Sequence, residues 1–197
     1  MPMEKNTLII GFILLVVGLG AGYTFGGYRV PTAGTQMMPG GTMMGNNIDQ
    51  HFIVQMIPHH EGAIAMARVA LERSKRSEII SLANVIIEAQ ENEINNMRAW
   101  YTQWFGSTPL ETNMRMGAMH MGGMEGDTDE LREVSDSEFD REFILQMIPH
   151  HEMAIMMAQM LAATTERDEM KQLADNIITS QSREIDMMRG WLTSWYE

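Results

Sequence analysis

A six-residue motif that occurs twice carries the clearest chemistry in this sequence. MIPHHE begins at Met56 and again at Met147, 91 residues later. In a helix, this methionine lies three and four positions before the two histidines and shares a face with them. Imidazole is the commonest metal ligand in proteins, and thioether sulfur is a soft ligand that suits copper(I). The predicted metal ligands are Met56, His59, His60 and Met66 in the first copy and Met147, His150, His151 and Met157 in the second.

Each histidine pair also has a structural interpretation, as buried and hydrogen-bonded side chains at a helix kink. A second pair with methionine at the same offset favours the metal site over this alternative. The sequence leaves open whether the two pairs form one centre or two.

Carboxylates near the motif could orient the histidine rings, because a ligand imidazole usually donates its other N–H to a carboxylate or carbonyl oxygen. Glu93 and Glu184 occupy matching positions on a later apolar stripe and are predicted to face the histidines. The alternative is that they pair with arginine or with solvent. The possible orienting carboxylates are Glu61, Glu152, Glu93 and Glu184, and the possible accessory ligands are Met97 and Met188.

Methionine is unusually frequent, at 22 of 197 residues, and cysteine is absent. Disulfides and thiolate metal sites are therefore excluded. Methionines in Gly-rich stretches gain nothing from core burial, so we interpret them as accessory soft-metal ligands; the alternative is a linker of biased composition. The two clusters are Met37, Met38, Met43 and Met44, and Met114, Met116, Met119, His120, Met121 and Met124.

The balance of charge argues against one class of partner. The formal net charge is -12, and the calculated isoelectric point is about 4.9. Binding to nucleic acid requires clustered lysine and arginine. We therefore expect no nucleic-acid partner.

An internal duplication organises the elements that position the ligands. Residues 52–105 align with residues 143–196 without a gap, and half of the aligned positions are identical. Apolar residues spaced three and four apart predict two helices in each copy. Burying two amphipathic hairpins against each other predicts an all-α four-helix bundle.

The helix boundaries follow from caps and breakers. The predicted helices cover residues 48–73, 77–105, 136–164 and 167–196. Asn47 or Asp49 is the predicted N-cap of the first helix. Pro58 and Pro149 lie inside the first helix of each copy, so we expect a kink or a local break there.

The N-terminus contains an uncharged apolar run over residues 8–28. At about 1.5 Å per residue such a helix spans roughly 30 Å, the thickness of a bilayer core. Its length favours an uncleaved transmembrane signal anchor over a cleaved signal peptide, whose apolar region has roughly 7–15 residues. Both alternatives place the rest of the chain in the periplasm or outside the cell.

The predicted organisation has three parts. A signal anchor covers residues 1–30, a Met- and Gly-rich linker covers 31–47, and the bundle domain covers 48–197. The bundle comprises repeat one over 48–106, a Met-rich and acidic loop over 107–135, and repeat two over 136–197.

The doubled motif, followed by AIAMA in the first copy and AIMMA in the second, resembles the "domain of unknown function 305" family over about residues 48–197. The resemblance implies a ferritin-like helical bundle that is exported or membrane-anchored in bacteria. It also implies copper binding by the motif histidines and methionines, in some members as part of copper resistance. Met153 and Met156 replace Gly62 and Ala65 in the second copy, so the two sites need not be equivalent.

We therefore expect a non-catalytic protein that binds, sequesters or relays copper(I) or silver(I) in metal tolerance or homeostasis. Loop methionines would capture the ion, and an efflux or acceptor protein could receive it. A di-iron or di-manganese enzyme is one alternative, but its usual Glu-x-x-His pattern occurs nowhere in the chain. A structural membrane-tethered bundle is the other alternative, and it leaves the loop methionines unexplained.

Overall fold

Helices make up all the regular secondary structure in residues 42–109 and 128–197, which are the residues that the computed structural model describes. In chain order they are α1 (Thr42–Arg73), α2 (Ser77–Phe105), α3 (Thr128–Glu133), α4 (Phe139–Thr164) and α5 (Asp168–Tyr196). Within these ranges there is no strand, so the predicted all-helical class is confirmed.

Two predicted boundaries were wrong. α1 begins at Thr42, inside the predicted linker, and Asp49 lies within the helix instead of capping it. The Asp49 carboxylate is buried and forms an ion pair with Arg167 of the second hairpin, at 3.2 Å. α3 lies in the segment predicted to be a loop, where the fully buried side chain of Leu131 holds it against the bundle.

Of the kink or local break predicted at the prolines, the break is absent, because α1 and α4 are continuous through Pro58 and Pro149. A helical proline removes one backbone hydrogen bond, and the buried residues on both sides of each proline hold the helix together. α2 ends at Phe105, as predicted, and Gly106 follows it: this glycine adopts a left-handed conformation with φ 69°, and its N–H donates to the carbonyl of Thr102.

The core consists of two clusters, which lie on either side of the motif histidines along the helices. The first core cluster joins the end of α1 and the start of α2 to the start of α4 and the end of α5, with members that include Met66, Ile79, Leu82, Leu131, Phe139, Phe143, Met147 and Met188. The second core cluster joins the start of α1 and the end of α2 to the end of α4 and the start of α5, with members that include Phe52, Met56, Ile94, Met97, Leu161, Met170 and Ile177. The two hairpins therefore pack with opposite directions.

Matched contacts at the hairpin turns show that the two repeats are related by an approximate twofold axis. An arginine after each turn pairs with a carboxylate of the other hairpin at 3.2 Å and lies over an indole ring, at 4.2 Å in one case and 4.1 Å in the other. The two matched sets are Arg76, Asp140 and Trp195, and Arg167, Asp49 and Trp104.

No helix in the described part of the chain is long and apolar enough to cross a membrane. The predicted anchor over residues 1–30 lies outside the described residues, and so do Met37, Met38 and the loop ligands between Met114 and Met124. Met43 and Met44 fall in the first turns of α1.

Candidate metal centre

A layer of polar side chains separates the two core clusters. Its members are His59, His60, Gln90 and Glu93 from the first hairpin and His150, His151, Gln181 and Glu184 from the second. All are buried except Glu93, whose side chain is 16 % exposed. Burying a polar group without a hydrogen bond costs free energy. A polar layer at the centre of a small bundle therefore indicates a function beyond packing. We call these eight residues the polar layer.

The inner histidines, His59 and His150, meet at the approximate twofold axis. Their ring centroids are 3.8 Å apart with planes inclined by 43°. Neither ring nitrogen of His59 has a hydrogen-bond partner. Burial lowers the pKa of His59 far below its usual value, and the neighbouring imidazoles, first that of His150, lower this pKa further. His59 is therefore neutral near pH 7, which is the form that binds metals.

The outer histidines are held by carboxylates of the neighbouring helix. Nε2 of His60 lies 2.7 Å from Oε2 of Glu93, and Nε2 of His151 lies 2.6 Å from Oε2 of Glu184. A carboxylate accepts a hydrogen bond, so Nε2–H donates and Nδ1 keeps its lone pair in the neutral ring. Nδ1 is buried without a hydrogen-bond partner in both rings. A metal-binding histidine commonly has this arrangement.

Buried methionines lie one turn from each outer histidine. Met56 precedes His60 by four residues on α1, and Met97 follows Glu93 by four residues on α2. Both methionines belong to the second core cluster. Met147 and Met188 have the same relation to the other histidine–carboxylate pair and belong to the first core cluster. All four methionines are 0 % exposed. Each outer histidine therefore has thioether groups on one side of it.

The remaining predicted ligands, Met66 and Met157, each lie in the core with the motif methionine of the other repeat. Met66 lies in the first core cluster with Met147, and Met157 packs half-buried against the second core cluster with Met56. The sequence placed each of them with the motif of its own repeat. Because the hairpins run in opposite directions, the end of α1 meets the start of α4.

Two of the four predicted orienting carboxylates do not contact the histidines. Glu61 forms an ion pair with Arg98 at 2.7 Å, and Glu152 forms one with Arg189 at 2.6 Å. Both glutamates are exposed enough to remain solvated, so surface arginines bind them. In the described structure the hydrogen-bond partners of Glu61 and Glu152 are therefore arginines.

Sequence reasoning gave no role in the site to Gln90 and Gln181. Each Oε1 is buried without a hydrogen-bond partner. Their matching positions three residues before Glu93 and Glu184 were the available signal.

Oxygen and nitrogen donors alone do not form a metal site in residues 42–109 and 128–197, where no three His, Asp or Glu side chains are grouped for one. Methionine would supply further ligands to a metal that binds one or two imidazoles of the polar layer. Zinc in structural sites takes four nitrogen, oxygen or thiolate ligands. Mixed imidazole and thioether donors suit a soft ion such as copper(I).

Comparison with known proteins identifies the family. The model of "Domain of unknown function (DUF305)" matches residues 49–196. The chain belongs to the DUF305 family. A DUF305 fragment from Deinococcus radiodurans is 30% identical, with a TM-score of 0.66 over 75% of this chain and 96% of that one.

This DUF305 chain is also similar to solved structures of CopM. The Cu(I)-bound form is 46% identical, with a TM-score of 0.67 over 76% of this chain and 98% of that chain. The Cu(II)-bound form is 48% identical, with a TM-score of 0.69 over 75% of this chain and 97% of that chain. CopM has also been solved with silver bound and in an apo form.

One curated relative matches a shorter stretch. "Uncharacterized protein L153" of Acanthamoeba polyphaga mimivirus is 43% identical over 51 residues, which are 26% of this chain. The match spans about a third of that relative's length, 34%.

Proposed function

We propose that this DUF305 protein binds copper(I) or silver(I) in the polar layer and sequesters or relays the ion. One observation carries the proposal: each outer histidine has Nε2 held by a carboxylate and Nδ1 buried and unpartnered, one turn from a buried methionine. Nitrogen and sulfur donors are thus placed together in a site from which water is excluded.

The likeness to CopM supports metal handling. CopM binds Cu(I), Cu(II) and silver in its structures, and it shares nearly half of its aligned residues with this chain. The preference for the monovalent ions rests on the donors, because thioether is a softer ligand than imidazole or carboxylate.

The symmetry of the polar layer supports two ions per chain. His60 follows Met56 of the second core cluster by four residues, and His151 follows Met147 of the first core cluster by four residues. The rings of the inner histidines His59 and His150 lie 3.8 Å apart. One ion would bind beside each outer histidine, with the neighbouring motif methionine as a further ligand.

The cellular role is proposed from the sequence. The apolar run over residues 8–28 supports a membrane tether with the bundle in the periplasm or outside the cell. A tethered protein that holds a soft ion without catalysis could pass it to an efflux or acceptor protein.

A competition titration tests the proposal. The full-length chain is titrated anaerobically with copper(I) against a chromophoric copper(I) chelator, beside a His60→Ala/His151→Ala variant. The matched control is His51→Ala, since His51 is an exposed histidine of α1. We expect the double variant to lose its tight binding and the control to keep it, both with unchanged helical circular dichroism.

Each contrary result has one meaning. Unchanged tight binding by the double variant would refute the site in the polar layer. Absence of copper(I) and silver(I) binding by the native chain would refute the function. Binding of iron or manganese with consumption of oxygen would support the di-metal enzyme instead.

A further inference from the structure

Four methionines form a row on the outer side of α4, apart from the polar layer. Met153, Met156, Met157 and Met160 are spaced so that they share one helix face. Met156 is 54 % exposed and Met160 is 60 % exposed. Met153 and Met157 are half-buried. We call these four residues the methionine row.

The inner edge of the methionine row reaches the core beside the polar layer. Met157 packs against the second core cluster, whose buried members include Met56 and Met97. These two methionines flank the pair formed by His60 and Glu93. Met157 therefore lies between the exposed methionines of α4 and the core cluster that contains the methionines of one proposed buried site.

The first repeat lacks this feature. The matching positions of α1 are Gly62, Ala65, Met66 and Val69. Met66 and Val69 are 0 % exposed and lie in the same cluster as Leu131 of α3. In the described part of the chain, α3 covers this end of α1, where the guanidinium of Arg73 donates to the carbonyl of Leu131 at 2.8 Å. The equivalent face of α1 is thus covered by α3, whereas the face of α4 that carries the methionines is exposed among the described residues.

The chemistry of the methionine row fits a soft cation. Side chains three and four residues apart in a helix have Cβ atoms about 5–6 Å apart, and methionine has enough rotatable bonds to bring two sulfurs to one ion. None of the four side chains carries a charge. An exposed methionine gains little from burial, so packing does not explain Met156 and Met160.

We propose that the methionine row is a separate surface site for a monovalent soft ion, copper(I) or silver(I), which loads the buried site beside His60 through Met157. The loading step rests on the proposed function. The surface site depends only on the exposed sulfurs of α4.

Silver(I) binding followed by NMR tests the surface site, because silver(I) does not change oxidation state in the titration. The full-length chain is labelled at the methionine methyl carbons, and the signals are assigned with single Met→Leu variants. Silver nitrate is added in chloride-free buffer. We expect the Met156 and Met160 methyl signals to shift within the first equivalents, as those of Met56 and Met147 do.

Leucine separates a metal site from an apolar docking face, because it keeps the apolar area and removes the sulfur. In the Met156→Leu/Met160→Leu variant we expect a loss of about one bound silver ion per chain and slower loading of the buried site beside His60. Met187→Leu is the matched control, since Met187 is half-buried and outside every proposed site; it should bind silver as the native chain does.

The outcomes distinguish this proposal from the proposed function. If the Met56 and Met147 signals shift while those of Met156 and Met160 do not, the surface site is refuted and the buried sites stand. If only the Met156 and Met160 signals shift, the surface site stands and the buried sites are refuted. Shifts of Met156 and Met160 that require a large molar excess of silver would also overturn the surface site.

Discussion

At the residue scale, three of the four histidines of the polar layer combine deep burial with ring nitrogens that have no hydrogen-bond partner. Nδ1 of His60, Nδ1 of His151 and both ring nitrogens of His59 are buried without hydrogen-bond partners. Each buried unsatisfied polar group costs about 1–3 kcal/mol of folding free energy. A soft metal ion that binds the single lone pair of each neutral imidazole would offset part of that cost.

The carboxylates that hold the outer histidines are expected to raise metal affinity without touching the metal. In a Glu93→Gln/Glu184→Gln variant, the amide is nearly the same shape but a weaker acceptor for Nε2–H. We expect copper(I) affinity to fall about 10–100-fold per site, as measured by competition with a chelator.

The matched control for this prediction is Glu61→Gln/Glu152→Gln, which removes two carboxylates that pair with surface arginines. Copper(I) affinity should be unchanged in that variant. An equal loss in both variants would show that the effect is one of overall charge.

Acid should destabilise the metal-free protein through His59. The folded state depresses the pKa of His59 below its unfolded value of 6.5. Below about pH 6.5, His59 therefore binds a proton in the unfolded chain but not in the folded chain. This contribution to stability is present above about pH 6.5 and is lost as the pH falls toward the folded pKa, by up to about 1.4 kcal/mol per pH unit.

Urea unfolding of the metal-free chain between pH 7 and pH 5 measures this dependence. His59→Gln should reduce the slope of unfolding free energy against pH by about one proton, whereas His51→Gln should not. Comparison of variants cancels Asp49, whose pKa is raised chiefly by burial. The same slope in His59→Gln and the native chain would contradict the prediction.

The sequence predicted the motif residues as ligands but could not rank the carboxylates. Helical spacing shows which side chains share a face of one helix. It does not show which side chain of another helix lies opposite. Glu61 follows the histidines directly and yet faces solvent, whereas Glu93 belongs to the second helix and reaches Nε2 of His60.

At the element scale, the two hairpin turns repeat one local geometry. The hydroxyl of Ser74 accepts the N–H of Arg76, and the hydroxyl of Thr165 accepts the N–H of Arg167, both at 3.2 Å. Each arginine then reaches the other hairpin. The turns therefore join the two repeats as well as reversing the chain.

The two arginines should contribute unequally to stability. Arg167→Ala removes the ionic partner of Asp49, which is 1 % exposed, and should cost about 3 kcal/mol of unfolding free energy. Arg76→Ala leaves Asp140, whose side chain is 16 % exposed, nearer to water and should cost less. Urea denaturation at pH 7 measures both.

Arg68→Ala is the control, because the pair of Arg68 with Glu91 is well exposed. Its loss should stay below about 1 kcal/mol. Equal losses in the three variants would contradict the importance of burial at Asp49.

Helix-breaking residues made some helix bounds predictable. The bounds of α2 match the prediction because a break precedes Ser77 and Gly106 follows Phe105. α1 begins before its predicted start because only residues from 48 onward carry the apolar pattern. α3 escaped prediction because one buried residue, Leu131, shows no periodicity.

At the scale of the whole molecule, the duplicated hairpins form a bundle with two apolar clusters and a polar layer between them. The sequence shows the duplication plainly. It does not show that the hairpins pack in opposite directions, since periodicity along a helix carries no information on its partner. This is why Met66 was assigned to the motif of its own repeat and lies instead with Met147.

Metal binding should stabilise the whole bundle, because the proposed ligands lie on α1 and α4 and the carboxylates that hold their histidines lie on α2 and α5. With free ligand at about 100 times Kd, each site adds about 2.7 kcal/mol to the free energy of unfolding. The melting temperature of the native chain should therefore rise with silver(I) or anaerobic copper(I). Calorimetry on His60→Ala/His151→Ala should show no such rise, and an equal rise would contradict binding in the polar layer.

The location of the bound ion shows directly whether the polar layer is the metal site. Crystals of the silver-loaded full-length chain would be measured for anomalous scattering. We predict two symmetry-related peaks in the polar layer, beside Nδ1 of His60 and Nδ1 of His151 and within reach of the motif methionines. Anomalous peaks confined to surface or loop methionines, with none in the polar layer, would contradict the account.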